Sequence, residues 1–174
     1  MITFNLLAAL LAGLAGTIAM TAMMRGASAI GVTNMPSMTL IQGTMLTDDV
    51  DQANRIGFVT HVVMMGTIVF GIGYAAIFTV VGSASVVTGA LIGLGHGIVA
   101  GLAMALVGSI HPRMTTPANA TRSEGDVLTT TGGQTALVEP GIFARNYGPM
   151  TPVGLVMGHI VFGLVVALVY GAIA

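Results

Sequence analysis

The residues of this chain best suited to chemistry are its four histidines, His61, His96, His111 and His159. An imidazole can bind a metal, relay a proton or hold a helix neighbour by a hydrogen bond. His61, His96 and His159 sit inside long apolar stretches. An ionisable side chain in such a setting costs free energy and marks a functional site by default. Methionines gather in the same zones. Met20 and Met24 are one turn apart, and Met64 and Met65 follow His61 at i+3 and i+4, which on an α-helix is its own face. Met157 is two residues from His159, a spacing that turns it away. Thioether with imidazole suits copper(I), and paired histidines on facing helices suit a b-type haem. The candidate metal or haem ligands are therefore His61, His159, Met20, Met64 and Met65, and His96 is a candidate proton relay or deep polar site. Against both stands a plainer reading. Methionine fills gaps between helices, and a lone intramembrane histidine can bond a hydroxyl or carbonyl on its neighbour. His111 and Arg113, in His111-Pro112-Arg113-Met114, are candidates just outside the apolar region.

Much other chemistry is missing from the sequence. There is no cysteine and no lysine, and the apolar stretches contain no acid. Disulfides, thiol catalysis and cysteine-ligated metals are excluded. No phosphate-binding glycine loop and no Gly-x-Ser-x-Gly elbow is present. Asp48, Asp49 and Asp51 cluster, as a hydrated loop or a helix start at Thr47 would explain. With a net charge of −1 and no basic stripe, nucleic acid is not an expected partner.

The elements that carry these residues follow from composition. Of 174 residues 55% are hydrophobic and 6% charged, against about 25% charged in an ordinary soluble domain. Together with a mean hydropathy of +0.95, this makes lipid the solvent for most of the chain. Four stretches reach the ~20 residues needed to cross a bilayer: about 4–24, 56–81, 86–108 and 152–174. The expected fold is all-α, a single polytopic domain over 1–174 with a four-helix transmembrane bundle. The first stretch lacks a basic leader and reads as a retained span. Gly82-Ser83-Ala84-Ser85 is a tight turn, so spans two and three form an antiparallel hairpin. The long connections 25–55 and 109–151 then share one end of the bundle. All charged side chains lie at that end, all five arginines included. The positive-inside rule places it in the cytoplasm and the termini opposite. The first connection carries Met35-Pro36-Ser37-Met38 and two apolar pairs, read as a short interfacial helix. Residues 115–138, rich in Thr, Gly, Pro and Ala, read as irregular, and Asn119-Ala120-Thr121 fits the glycosylation triplet.

Span three carries Gly89, Gly93, Gly97 and Gly101 at strict intervals of four, and span four carries Gly154 and Gly158. Such ridges let helix backbones approach closely, either within the bundle or against a partner subunit or second copy. Counting the helical rise from each span's charged end puts His61 about 8 Å deep, His159 about 10 Å and His96 about 18 Å. His61 and His159 are then expected to share a site, with His96 too deep to join them unless its helix is tilted or kinked.

Several segments have a recognisable pattern: Gly-Leu-Ala-Gly-Thr-Ile-Ala-Met-Thr-Ala-Met-Met (13–24), Ile-Gly-Phe-Val-Thr-His (56–61), Gly-Leu-Gly-His-Gly (93–97), His-Pro-Arg-Met (111–114), Pro-Gly-Ile-Phe-Ala-Arg-Asn-Tyr-Gly (140–148) and Gly-His-Ile-Val-Phe-Gly (158–163). The chain resembles, over most of its length, a group of small bacterial and archaeal integral membrane proteins of unknown function. The resemblance implies a four-helix fold in a prokaryotic cytoplasmic membrane and supplies no mechanism. Two functional readings follow from the residues. One is a non-catalytic subunit or accessory protein of a larger membrane complex, holding copper or haem in its His/Met zone. The other is a small stand-alone transporter or channel that moves protons or metal ions along its histidines. A membrane enzyme ranks last, because no nucleophile–base pair is visible.

Overall fold

The computed structural model describes residues 2–117, 128–131 and 134–174. Four helices in it are long and apolar enough to cross a membrane: α1 (Leu6–Ala29), α3 (Val50–Val81), α4 (Val86–Ile110) and α5 (Thr151–Ile173). A short α2 (Met38–Gly43) lies in the first long connection. The second holds β1 (Met114–Thr115), β2 (Leu128–Thr131), β3 (Gln134–Val138) and a 3-10 turn over Ile142–Tyr147. The triplet Asn119–Thr121 lies outside the described residues.

Local signals set the helix ends. Asn5, Ser37, Asp49 and Ser85 cap α1, α2, α3 and α4, each accepting a bond from a backbone N–H of the first turn. The cap of α3 is Asp49 rather than Thr47, whose hydroxyl instead accepts from the Asp49 N–H at 3.2 Å. Asp51 in the first turn suits the positive end of the helix dipole. Pro152 opens α5, where its missing N–H has no intrahelical partner to lose. Gly82, at φ 72°, supplies the left-handed residue that closes α3.

Helix α3 is longer than its apolar stretch. Its 32 residues extend about 48 Å, so the capped first turns project beyond a hydrocarbon core of ~30 Å. Its middle third is not α-helical. Phe58–Phe70 forms a π-helix, and the Thr67 hydroxyl donates to the carbonyl of Val62, five residues back, at 2.9 Å. Extended π segments are rare and concentrate at functional sites.

Around the bundle the helices run α3, α1, α5, α4. Glycines permit each close approach in that order. A Cβ on Gly13 of α1 would fall 2.6 Å from the Gly66 carbonyl oxygen, and one on Gly71 2.6 Å from that of Ala9. Along α4, a Cβ on Gly89 would collide with the backbone of Gly163 and one on Gly93 with the carbonyl of His159, while Gly97 faces Val156 and Gly101 the Phe143 ring. Gly158 faces Met20, Met23 and Met24 of α1, and Gly154 opens onto free space. The main core lies between α1, α3 and α5, with Phe78, Phe162, Val166 and Tyr170 fully or almost fully buried. Tyr170 ties the chain ends together, its hydroxyl donating to the Thr3 carbonyl and accepting from the Asn5 N–H, both at 3.0 Å.

The glycine contacts set the register of α4 on α5. Gly97 is level with Val156, so the last turns of α4 overhang the start of α5 and pack on the 3-10 turn instead. Among the described residues of the Thr- and Gly-rich stretch, short strands form at Leu128–Thr131 and Gln134–Val138. Strands pair in the order β1-β3-β2, β1 parallel and β2 antiparallel to β3. Tyr147 anchors them by donating to the Val138 carbonyl at 2.6 Å, and burial with Glu139 nearby pushes its phenol pKa upward.

Overpacking this seam has a measurable cost. Gly89→Ala or Gly93→Ala should destabilise the bundle by about 1–3 kcal/mol. Gly95→Ala, on the open side of the same helix, should leave the thermal midpoint in detergent unchanged. Equal midpoints for all three variants would refute this packing.

Candidate functional site

Helices α3 and α4 are joined by the tightest turn, yet they stand at the two ends of the bundle order and pack little against each other. Their seam is bridged mainly by rings. Phe70 of α3 lies on His96 of α4, centroids 4.1 Å apart, and the Tyr74 hydroxyl is 3.2 Å from His96 Nδ1. Behind the seam, His159 of α5 meets His96 edge to face at 4.5 Å. His61, in the π segment, is near His159 but makes neither a ring contact nor a hydrogen bond with it. The Gln42 amide of α2 reaches His61 Nδ1 at 3.4 Å. A row of polar groups thus runs inward from the end with the long connections: Gln42, His61, His159, His96, Tyr74.

The row gathers all three membrane histidines, including the one that depth counting set apart. Counting assumed that the helix ends are level. They are not, because the glycine register slides α4 past the start of α5 and brings the level of His96 to that of His159. The hydrogen bonds also assign tautomers. His159 Nδ1 faces the Leu155 carbonyl at 2.8 Å, so it must carry the proton there, leaving Nε2 as a free acceptor. Beyond Tyr74 the row ends on aromatic rings: Phe162 at 5.1 Å and Phe78 at 6.2 Å, both edge-on. Tyr170 follows, 5.7 Å from Phe78.

The methionines do not join this row as a set. In a π-helix a turn holds more residues than in an α-helix, so i+3 leaves the face that i defines. Met64 is accordingly half exposed on the outside of the bundle, while Met65 is partly buried. Met20 packs beside Gly158, next to His159 in sequence but against the helix surface. No group of three or more His, Asp or Glu side chains among the described residues is placed to hold a metal ion.

His111 and Arg113 lie elsewhere, at the end of α4. His111 is 4% exposed, its Nε2 donating to the Ile41 carbonyl at 2.9 Å and lying 3.3 Å from the Thr44 hydroxyl. Arg113 donates from Nη1 to the Thr44 carbonyl at 2.8 Å. Burial first, and Arg113 second, depress the His111 pKa, partly offset by the bond to Ile41.

Sequence reading missed Tyr74 and Gln42. Tyr74 gave a weak sign, as the one hydroxyl-bearing aromatic ring in the second span. Gln42, the lone amide in an apolar hexapeptide, gave a weaker sign. Tyr74→Phe should leave His96 Nδ1 without its hydroxyl partner and cost about 1–3 kcal/mol of stability, read by denaturation in detergent. A variant as stable as the parent would remove Tyr74 from the row. No family model, curated protein or solved structure matches this chain.

Proposed function

We propose that this chain is a small stand-alone membrane transport protein whose histidine row takes up and passes protons. The observation that carries this reading is the contact of three titratable groups inside the bundle, His159 ring to ring against His96 and His96 bonded to Tyr74. An imidazole accepts a proton at one nitrogen and releases another from the opposite one, so adjacent imidazoles can pass charge without moving far. His159 has the required asymmetry, with Nδ1 donating to a carbonyl and Nε2 open. The π segment that presents His61 supports a functional assignment.

One feature favours this reading over a subunit of a larger complex: the glycine ridge of α4 faces α5 and the 3-10 turn of the same chain. The apolar interval between Tyr74 and Tyr170, filled by Phe78 and Phe162, acts as the barrier that must be crossed for net movement. The end with both long connections carries all five arginines and faces the cytoplasm in this reading, so protons enter the row from that side.

Purified protein in liposomes holding a pH-sensitive dye should collapse an imposed proton gradient faster than empty liposomes. His96→Ala and His159→Ala should each lower that rate at least ~10-fold, the scale of one lost proton-transfer partner. Flux equal to empty liposomes, or unchanged in both variants, would overturn the proposal. Orientation is read separately: a reporter fused after Ala174 should be active outside the cytoplasm and inactive within it.

A further inference from the structure

The seam between α3 and α4 is closed differently at its two ends. At one end the Gly82–Ser85 turn closes it covalently. At the other, α4 is joined to the α3 side through α2. That short helix is fixed to the start of α3: a Cβ on Gly43 would collide with the Ala53 backbone and one on Gly57 with that of Thr39. The Thr39 hydroxyl also donates to Asn54 at 3.3 Å. Opposite, the end of α4 reaches α2 through His111 and Arg113, which bond the Ile41 and Thr44 carbonyls. We propose that His111 and Arg113 form a clasp between α4 and the α2–α3 unit, and that protonation of His111 releases it and opens the seam to the histidine row.

The chemistry of the clasp rests on its tautomer. A carbonyl only accepts, so His111 Nε2 carries a proton toward Ile41. Its Nδ1 accepts from the backbone N–H of Arg113 at 3.1 Å. A second proton has only Nδ1 to occupy, where it would meet that N–H donor head on. The resulting cation would be buried beside the Arg113 guanidinium. No carboxylate compensates in α2, whose six residues are uncharged. Glu139 flanks Gly108, about one turn before His111 on α4.

The direction with pH follows. The closed clasp holds the His111 pKa below its ordinary value, so the open form binds more protons. The clasp is fully formed above the ordinary imidazole pKa of ~6.5 and weakens as pH falls through it. Gln42 sits on the same short helix as the Ile41 carbonyl and touches His61, which places the clasp beside the outer end of the row.

This inference rests on the transport reading for its purpose, but its test does not need transport. The chain has no cysteine, so Asp51→Cys and Ser109→Cys, both at exposed positions, give a unique pair of spin labels across the seam. In full-length protein in lipid nanodiscs, the distance should be short and narrow above the imidazole pKa and gain a longer population below it. His111→Ala should show the longer population at both pH values. His111→Gln, which can still donate to Ile41 but cannot titrate, should stay closed at both. A pH-independent distance in the parent, or a pH response retained in His111→Gln, would overturn the clasp. A pH-responsive distance without proton flux would leave the clasp standing and overturn the transport reading instead.

Discussion

The contact on which this structure depends is the backbone approach of α4 to α5. Where Gly89 meets Gly163 and Gly93 meets His159, no side chain separates the two helices. Without a hydrophobic driving force between helices in lipid, such close packing is a main source of cohesion. It also fixes a register, because a Cβ one step out of place meets carbonyl oxygen. The overhang of α4 follows from that register. So do the docking of Phe143 on Gly101 and the edge-to-face contact of His96 with His159.

Around that fixed pair the other half of the bundle is assembled differently. Helix α3 reaches the site by way of α1, with Gly13, Gly66 and Gly71 allowing the approach. It meets α4 mainly through Phe70 and Tyr74 on His96. A seam closed by rings can part at lower cost than one closed by backbone, since no close-packed helix interface must separate. The π segment, which carries His61, packs on α1 and reaches this seam at its last residue, Phe70. The polar row therefore occupies the most separable contact of the molecule, while the glycine-packed contacts keep the rest in place.

The long connections complete the molecule as structure. The buried Thr33 hydroxyl meets that of Thr151 at 2.7 Å, and the Asn34 N–H donates to the Tyr147 carbonyl at 2.8 Å. These bonds join the exit of α1 to the entry of α5. Phe143 and Ala144 adopt positive φ, 52° and 56°, a conformation that costs an L-residue roughly 1–2 kcal/mol. The packing of Phe143 on Gly101 and the burial of Ala144 beside Met104, Tyr147 and Leu155 hold it there.

The sequence by itself determined the four spans, the tight hairpin, the single end that bears the charge and the presence of a short helix in the first long connection. Each of these depends on local properties: apolar length, a turn-forming tetrapeptide, the distribution of arginine, a run of apolar pairs. It also singled out His61, His96 and His159, because an imidazole in lipid is conspicuous wherever it points. Only the tertiary structure decided that His96 and His159 meet. Their levels depend on how far α4 slides along α5, and that offset is set by contacts between glycines distant in the chain. Tertiary structure likewise turned Met64 outward, through a π-helical winding that α-helical spacing does not anticipate. It also placed His111 against α2, a contact between residues 70 positions apart. Composition and periodicity describe what each helix presents to its surroundings; which faces then touch depends on steric fit between segments that no local pattern encodes.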